Sequence, residues 1–409
     1  MRGLLSRLSV PRASAALATP IALGAAMFPS FLPHLPVALG VMTGMAWLIT
    51  HAVVRRLVRR LAGRDRHLTG PTHVLAVVLG GALTAYVLGW TLVAQNGMRA
   101  RIGMDPVSLA DVGIAAGTAV ALVGVVRGLG WLWRHRSRVS RRGVALIAGL
   151  TLVTFAPASA QAASDSDQVL LTPSPVGAVR AYAGLSDSED DATRARIAVD
   201  RLAAAGGLTR EHLLVAIPTG SGWVNPEFVR GVEERFGAEV ATVSMQYDDR
   251  PSWMAYLFDR DGAVSGARAL LAEVTASVSA MPAAQRPQVH VVGESLGATA
   301  GQSAMLAPGA GGDAARATVC STFWLGTPGG GRTGLPQETV AANPDDPIVH
   351  ASPAMAWRPA TESRAWLPVV SAVHAGADVL GSLAVPFGSG HRYGADQALR
   401  LQTCDGSGG

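Results

Sequence analysis

The hydrophobic pattern of the chain changes near residue 162. Before that point apolar residues run in long blocks. After it, short apolar runs alternate with stretches of helical period. Five blocks stand out in the first half: Ala13–Phe31, Val37–Val54, His73–Ala94, Val112–Trp131 and Val144–Ala160. Crossing a bilayer as a helix takes about 20 mostly apolar residues, so the pattern predicts an α-helical transmembrane bundle of about five spans. Pro20 and Pro29 predict a kink in the first block, and the last block is short. The blocks carry almost no ionisable residues, whereas transport proteins keep some within the bilayer for function. The bundle therefore reads as an anchor, with room for a groove that delivers lipid.

The polar residues between the blocks set an orientation. Arg2, Arg7 and Arg12 precede the first block, Arg55, Arg56, Arg59, Arg60, Arg64 and Arg66 follow the second, and Arg134, Arg136, Arg138, Arg141 and Arg142 follow the fourth. The alternate connections are poor in Arg, with none in Leu32–Pro36 and only Arg99 and Arg101 after the third block. Arg-rich loops stay in the cytoplasm. Five spans then leave the N-terminus inside and residues 163–409 outside. The last block also fits a secretory signal, with a basic start and small residues at Ala158-Ser159-Ala160. Either reading exports the second half of the chain.

Residues 163–178 form a polar, Pro-bearing linker. Beyond it the strand candidates are Val179–Ala183, His212–Ile217, Val240–Tyr247, Gln288–Val292 and Thr318–Leu325. Helix candidates lie between them: Asp190–Ala204, Pro226–Phe236, Gly262–Ser279 and Leu296–Met305. Asn225 and Pro226 open the second of these, and Gly237 follows its end. Strands alternating with helices imply parallel crossovers and a doubly wound, mostly parallel sheet. The expected domains are 1–162, membrane, and 179–409, globular and large enough to bury its own core.

Composition changes this picture little. The net charge is +5 and the pI about 9.8 over 409 residues, but the excess sits in the Arg clusters between apolar blocks and does not imply nucleic acid. Every basic residue is Arg. Cys320 and Cys404 are too few for a zinc site or a disulfide framework, and in an exported domain they could pair with each other. No residue set implies a metal or cofactor. FDRDG, residues 258–262, lacks the remaining ligands of a calcium loop and reads as a helix-start turn. GTPGGGR, residues 326–332, lacks the Lys-Ser/Thr of a phosphate loop. It reads, like MQYDDRPSWM at residues 245–254, as a loop at the mouth of a site.

The candidate chemistry is in VVGESLGATAG, residues 291–301. Ser295 sits between a strand and a helix, flanked two positions away by Gly293 and Gly297, as a tight nucleophile elbow requires. A serine hydroxyl needs a base, commonly a His oriented by a carboxylate, and in this arrangement the chain order is Ser, acid, His. Of His350, His374 and His391, the last lies in the Gly-rich loop GSGHRYG, which can deliver an imidazole to the strand ends; His374 lies in a helical stretch. For the acid, NPDDPIVH offers Asp345 and Asp346 after a possible strand, Gln337–Ala342. Asp346 is preferred because Pro347 biases it toward extended backbone. Oxyanion donors are expected from the N–H of Leu296 and from the loop AIPTGSGWVNP, with Ser221 first and Gly220 second.

These motifs together resemble a family. GESLG, PTGSGW, MQYDDRPSW, the DPIV of Asp346–Val349 and the GHRYG of Gly390–Gly394 look like the actinobacterial membrane-anchored α/β-hydrolases, which join an N-terminal multi-span domain to a C-terminal catalytic domain. The resemblance implies an α/β-hydrolase domain with Ser295 as nucleophile, Asp346 as acid and His391 as base. The connection from Leu325 to Asp346 is shorter than the family pattern, which puts a trimmed substrate cover there. The expectation is an extracytoplasmic serine hydrolase of esterase or lipase type, tethered to the bilayer and acting on an acyl ester of lipid character. An acyltransferase using the same residues and a catalytically silent membrane scaffold are the alternatives.

Overall fold

The computed structural model describes residues 12–65, 70–134, 168–250, 254–255, 258–360 and 365–404. By internal contacts the chain forms two units: Met1–Pro157 with Ala351–Val385, and Ala158–His350 with Pro386–Gly409. The expected continuous domain 179–409 is thus interrupted by a segment that folds with the N-terminal helices.

The first unit contains α1 (Ala13–Ala26), α2 (Pro36–Ala62), α3 (Gly70–Arg101) and α4 (Leu109–Arg134). Among the described residues, three helices are long and apolar enough to cross a membrane: Pro36–Ala62, Val78–Arg101 and Leu109–Arg134. They coincide with the second, third and fourth apolar blocks. The first block is different. Its helix has 14 residues, with Pro20 inside, and ends at Ala26 before Pro29. At 1.5 Å per residue that is about 21 Å, short of a hydrocarbon core of about 30 Å. The fifth block lies outside the described residues. α2 and α4 pack closely: a Cβ on Gly40 would lie 2.5 Å from the Ala115 carbonyl, and one on Gly44 would lie 2.9 Å from Leu122.

Among the described residues the second unit holds six parallel strands: β1 (Val179–Ala183), β2 (His212–Ile217), β3 (Val240–Met245), β4 (Gln288–Glu294), β5 (Val319–Leu325) and β6 (Glu338–Ala341), in the order β1-β3-β2-β4-β5-β6. The crossovers contain α5 (Asp191–Ala204), α6 (Pro226–Phe236), α7 (Arg260–Ser279), α8 (Leu296–Met305) and α9 (Ala310–Thr318). Strand and helix positions follow the sequence expectation to within a few residues, because each is written in a local period. α9 is an addition to it. Two later helices, α10 (Pro347–His350) and α11 (Val370–Gly381), follow the sheet in the chain.

Side chains alternate across the sheet with period two. Leu213, Val215 and Ile217 of β2 face one core with α5, α7, α8 and α9, while Leu214 and Ala216 face the other with α6 and the C-terminal turn at Ala398. The result is a doubly wound three-layer sandwich. Asp259 caps α7 by accepting from Gly262 N–H at 3.0 Å, so FDRDG is the helix-start turn expected. Cys320 and Cys404 form a disulfide with Cα atoms 5.8 Å apart. It fastens the C-terminal tail to β5, beside a half-buried hydrogen bond of 2.8 Å from Ser321 Oγ to the Gln402 carbonyl.

Candidate active site

Ser295 stands between β4 and α8 with φ 55° and ψ −117°, a backbone state non-glycine residues rarely adopt. Its N–H donates to the Leu325 carbonyl at 2.9 Å. The flanking glycines are required by packing. A Cβ on Gly293 would meet the Gly297 backbone at 2.5 Å, and one on Gly297 would meet the Ile217 carbonyl at 2.3 Å. The elbow is therefore pressed against the end of β2, from which the 219–223 loop departs.

That loop is tied down through its carbonyls. Thr219 N–H donates to Trp223 O at 3.0 Å and Gly222 N–H to Thr219 O at 2.9 Å. Gln246 donates to Ser221 O at 3.2 Å, and Gln168 donates to Gly222 O. The N–H groups of Gly220 and Ser221 make no hydrogen bond among the described residues. Like the first N–H groups of α8, including that of Leu296, they remain available to an anion. Gly220 and Ser221 both lie in the loop that leaves the end of β2, against which Gly297 of the elbow is pressed.

His391 is buried, and its Nδ1 lies 2.7 Å from Asp346 Oδ2. Its Nε2 is buried with no hydrogen-bond partner among the described residues. The ring packs over Gly326, which has φ 54°; a Cβ there would lie 2.7 Å from His391 Cε1 and 2.5 Å from the Tyr393 hydroxyl. Gly326 directly follows Leu325, whose carbonyl holds Ser295. Imidazole and elbow serine are thus both held at the end of β5, the one over Gly326 and the other by the Leu325 carbonyl, with no hydrogen bond between them, in the region where ligands bind in open α/β sheets.

Asp346 is fully buried. Its Oδ1 accepts from Ile348 N–H at 2.8 Å, at the start of α10, while Oδ2 accepts from His391 and from the Tyr393 hydroxyl. The rival Asp345 turns elsewhere, its Oδ1 accepting from Gly390 N–H at 3.0 Å. Asn343 donates to Gly390 O at 2.9 Å and to Arg392 O at 3.1 Å. The acid loop and the histidine loop are thereby clamped together on both sides of the carboxylate. Of the other histidines, His350 ends α10, and His374 lies on α11 in the first unit.

Three contributing residues were not singled out for the site from the sequence. Glu294, the variable position before Ser295, is buried and accepts from Asn225 Nδ2 at 2.6 Å. Asn225 also donates to the Tyr393 carbonyl at 3.0 Å, while its Oδ1 caps α6. Tyr393 completes the chain to Asp346. Only the cap role of Asn225 is visible in local sequence; the rest joins residues up to 168 positions apart.

Burial raises the Glu294 carboxyl to about 7, against opposing contributions from His391 and Asn225. Burial lowers the affinity of His391 for a proton, but the bond and charge of Asp346, with Glu294 behind them, outweigh it, so its pKa is raised above 6.5. Tyr393 is held protonated, first by burial and then by Asp346. Among the described residues no group of three His, Cys, Asp or Glu is arranged to hold a metal ion.

A parallel doubly wound sheet with a strained serine at the strand-to-helix elbow, glycines pressed on either side, defines the α/β-hydrolase class of fold. The family models agree. That of an alpha/beta-hydrolase family matches residues 179–356, and that of an alpha/beta-hydrolase family N-terminus matches residues 27–188. The chain belongs to this alpha/beta-hydrolase family, N-terminal domain included. No match is found among curated proteins.

Proposed function

We propose that the protein is a membrane-anchored serine hydrolase whose site faces away from the cytoplasm and cleaves an acyl ester, with Ser295 as nucleophile, His391 as base and Asp346 as the acid that orients it. The observation that carries this reading is the His391 imidazole, held through Nδ1 by Asp346 at 2.7 Å and presenting a buried, unpartnered Nε2 beside the elbow. Nδ1 must carry its proton to bond the carboxylate, so Nε2 is the basic nitrogen. It takes the Ser295 proton as Oγ attacks the ester carbonyl. The N–H groups of Leu296 and of Ser221 or Gly220 stabilise the oxyanion. His391 then returns the proton to the leaving alcohol, leaving an acyl-enzyme. Water, deprotonated by the same nitrogen, attacks the acyl carbonyl and releases the acid.

The proposed side of the membrane draws support from three features. The Arg clusters flank alternate apolar blocks. The segment Ala351–Val385 packs, through Met355, Ala375 and Val385, on Phe31 and Leu32 and against Ile102 and Met104, in the two Arg-poor turns of the bundle. The Cys320–Cys404 disulfide suits an oxidising compartment.

A membrane-impermeant fluorophosphonate tests both parts. Intact cells expressing the protein are expected to label, and Ser295→Ala is expected to abolish labelling and lower ester hydrolysis by several orders of magnitude. Equal labelling of the variant would overturn the assignment of Ser295. Labelling that appears only after lysis would put the site inside.

A further inference from the structure

The segment that follows α10 has its polarity turned inside out. Between Ala365 and Val385 the only ionisable residues are His374 and Asp378, and both are buried. Around α11 the buried positions are Ser371, His374, Ala375, Asp378 and Gly381. The opposite stripe is Val369, Val373, Leu380 and Leu383, exposed by 62%, 55%, 82% and 64%. Val373 and Leu380 lie on α11 itself, on either side of Gly376; Val369 is its N-cap, at φ 64°, and Leu383 follows its end. Scattered exposed apolar residues are normal on a soluble surface. A whole helix face of them, with every ionisable group on the other side, is the pattern of a helix whose outer solvent is lipid.

The inward face is held by hydrogen bonds and by the approach of His34 Nε2 to Asp378 Oδ1 at 3.6 Å. The His374 Nε2 lies 2.9 Å from the Ala25 carbonyl, so it carries the proton, and Nδ1 accepts from His34 Nε2 at 3.1 Å. His34 Nδ1 faces Gln95 Nε2 at 3.5 Å. Asp378 Oδ2 accepts from Phe31 N–H at 2.7 Å. These partners lie at the end of α1, in the turn before α2 and on α3. All belong to the unit whose long helices carry exposed apolar side chains such as Leu79 and Val120. The α11 stripe therefore belongs to the same folded unit as the exposed apolar faces of the long helices. A helix of 12 residues is about 18 Å long, too short to cross.

From this we infer that α11 is a membrane-seated helix, with Val369, Val373, Leu380 and Leu383 immersed in the acyl boundary of one leaflet, at the Arg-poor end of the bundle. The inference rests on the membrane anchoring of the N-terminal region and not on the serine chemistry. Its consequence for the site lies in connectivity. Asp346 precedes the segment and His391 follows it, so both loops that build the acid–base pair are tethered to an element at the lipid surface.

Site-specific fluorescence quenching tests this on the full chain in phosphatidylcholine vesicles. The native cysteines are paired, so single bimane labels can be placed at Leu380→Cys, Leu383→Cys, at Val120→Cys as a membrane reference, and at Arg268→Cys as an aqueous one. Val373→Cys supplies a further outward position should either α11 label disturb folding. The α11 labels are expected to be quenched severalfold more by doxyl-labelled lipid than the Arg268 label, and severalfold less by iodide. Iodide quenching at α11 equal to that at Arg268, with Val120 still quenched by lipid, overturns the inference alone. Protection from iodide without lipid quenching, growing with protein density, would assign the face to a second copy of the chain and equally overturn it. An unquenched Val120 label would remove the membrane premise itself.

Discussion

At the scale of single residues, the site depends on a few positions where an added atom or a changed charge has a calculable effect. Gly326 is the clearest. It holds φ 54°, and a Cβ would come within 2.7 Å of His391 Cε1. Gly326→Ala is therefore expected to displace the imidazole and lower kcat/KM on an activated ester by on the order of a hundredfold, measured against a variant of exposed Arg196. Glu294 gives a second test. Its folded pKa is raised from 4.5 to about 7 by burial. The folded state thus holds a proton that the unfolded state releases near 4.5. Stability is fully present below about 4.5 and is lost as pH rises through about 7, at up to about 1.4 kcal/mol per pH unit. In Glu294→Gln, urea unfolding across this window should lose that slope. Glu294 also helps hold the His391 pKa above its ordinary value. Because the base must be neutral, the acid limb of kcat/KM should lie above the usual imidazole range and move to lower pH in Glu294→Gln. An unmoved limb would remove Glu294 from the electrostatics of the site.

At the scale of elements, most of the second unit could be read from local pattern. β1, β2, α6 and α8 have the expected bounds, because strand period, the Asn225-Pro226 start and the elbow glycines are short-range signals. The apolar block at Ala13–Phe31, where Pro20 and Pro29 predict a kink, forms a helix that carries Pro20 inside it and ends at Ala26, before Pro29. The clamp between the acid loop and the histidine loop was not legible, since Asn343 reads as an ordinary turn residue and Asp345 only as a rival for the acid. The disulfide is another product of tertiary contact. It closes a separation of 84 residues, for which chain-entropy arguments give about 4.5 kcal/mol of stabilisation. Cys404→Ser should lower the midpoint of thermal unfolding by many degrees. A shift within error would mean the tail adds nothing to the sheet's stability.

At the scale of the whole molecule, the chain is not a membrane anchor joined in series to an independent globular domain. Residues Ala351–Val385 leave the second unit and fold with the first, packing Met355, Ala375 and Val385 with Phe31 and Leu32. A fragment beginning at Gln168 would retain the sheet but uncover the inward face of α11, including His374 and Asp378. It is expected to aggregate or bind a hydrophobic dye strongly in the absence of detergent, as seen by size-exclusion chromatography or dye fluorescence. A monodisperse, dye-negative fragment would show that the segment needs no partner from the N-terminal helices.

The sequence by itself determined what is encoded in neighbours. That includes the change from apolar blocks to alternating strands and helices, the elbow at Ser295, and the Ser–acid–His order that nominated Asp346 and His391. Only the tertiary structure decided which of Asp345 and Asp346 meets the imidazole, because the two differ by one position in a turn and their side chains leave it in different directions. Tertiary structure also decided the route from Glu294 through Asn225 and Tyr393 to Asp346, and the capture of α11 by the N-terminal unit. Asp378 meets Phe31 across 347 residues. No local period carries such a contact, since it exists only once burial has made an unpaired polar group costly and the fold has supplied its partner.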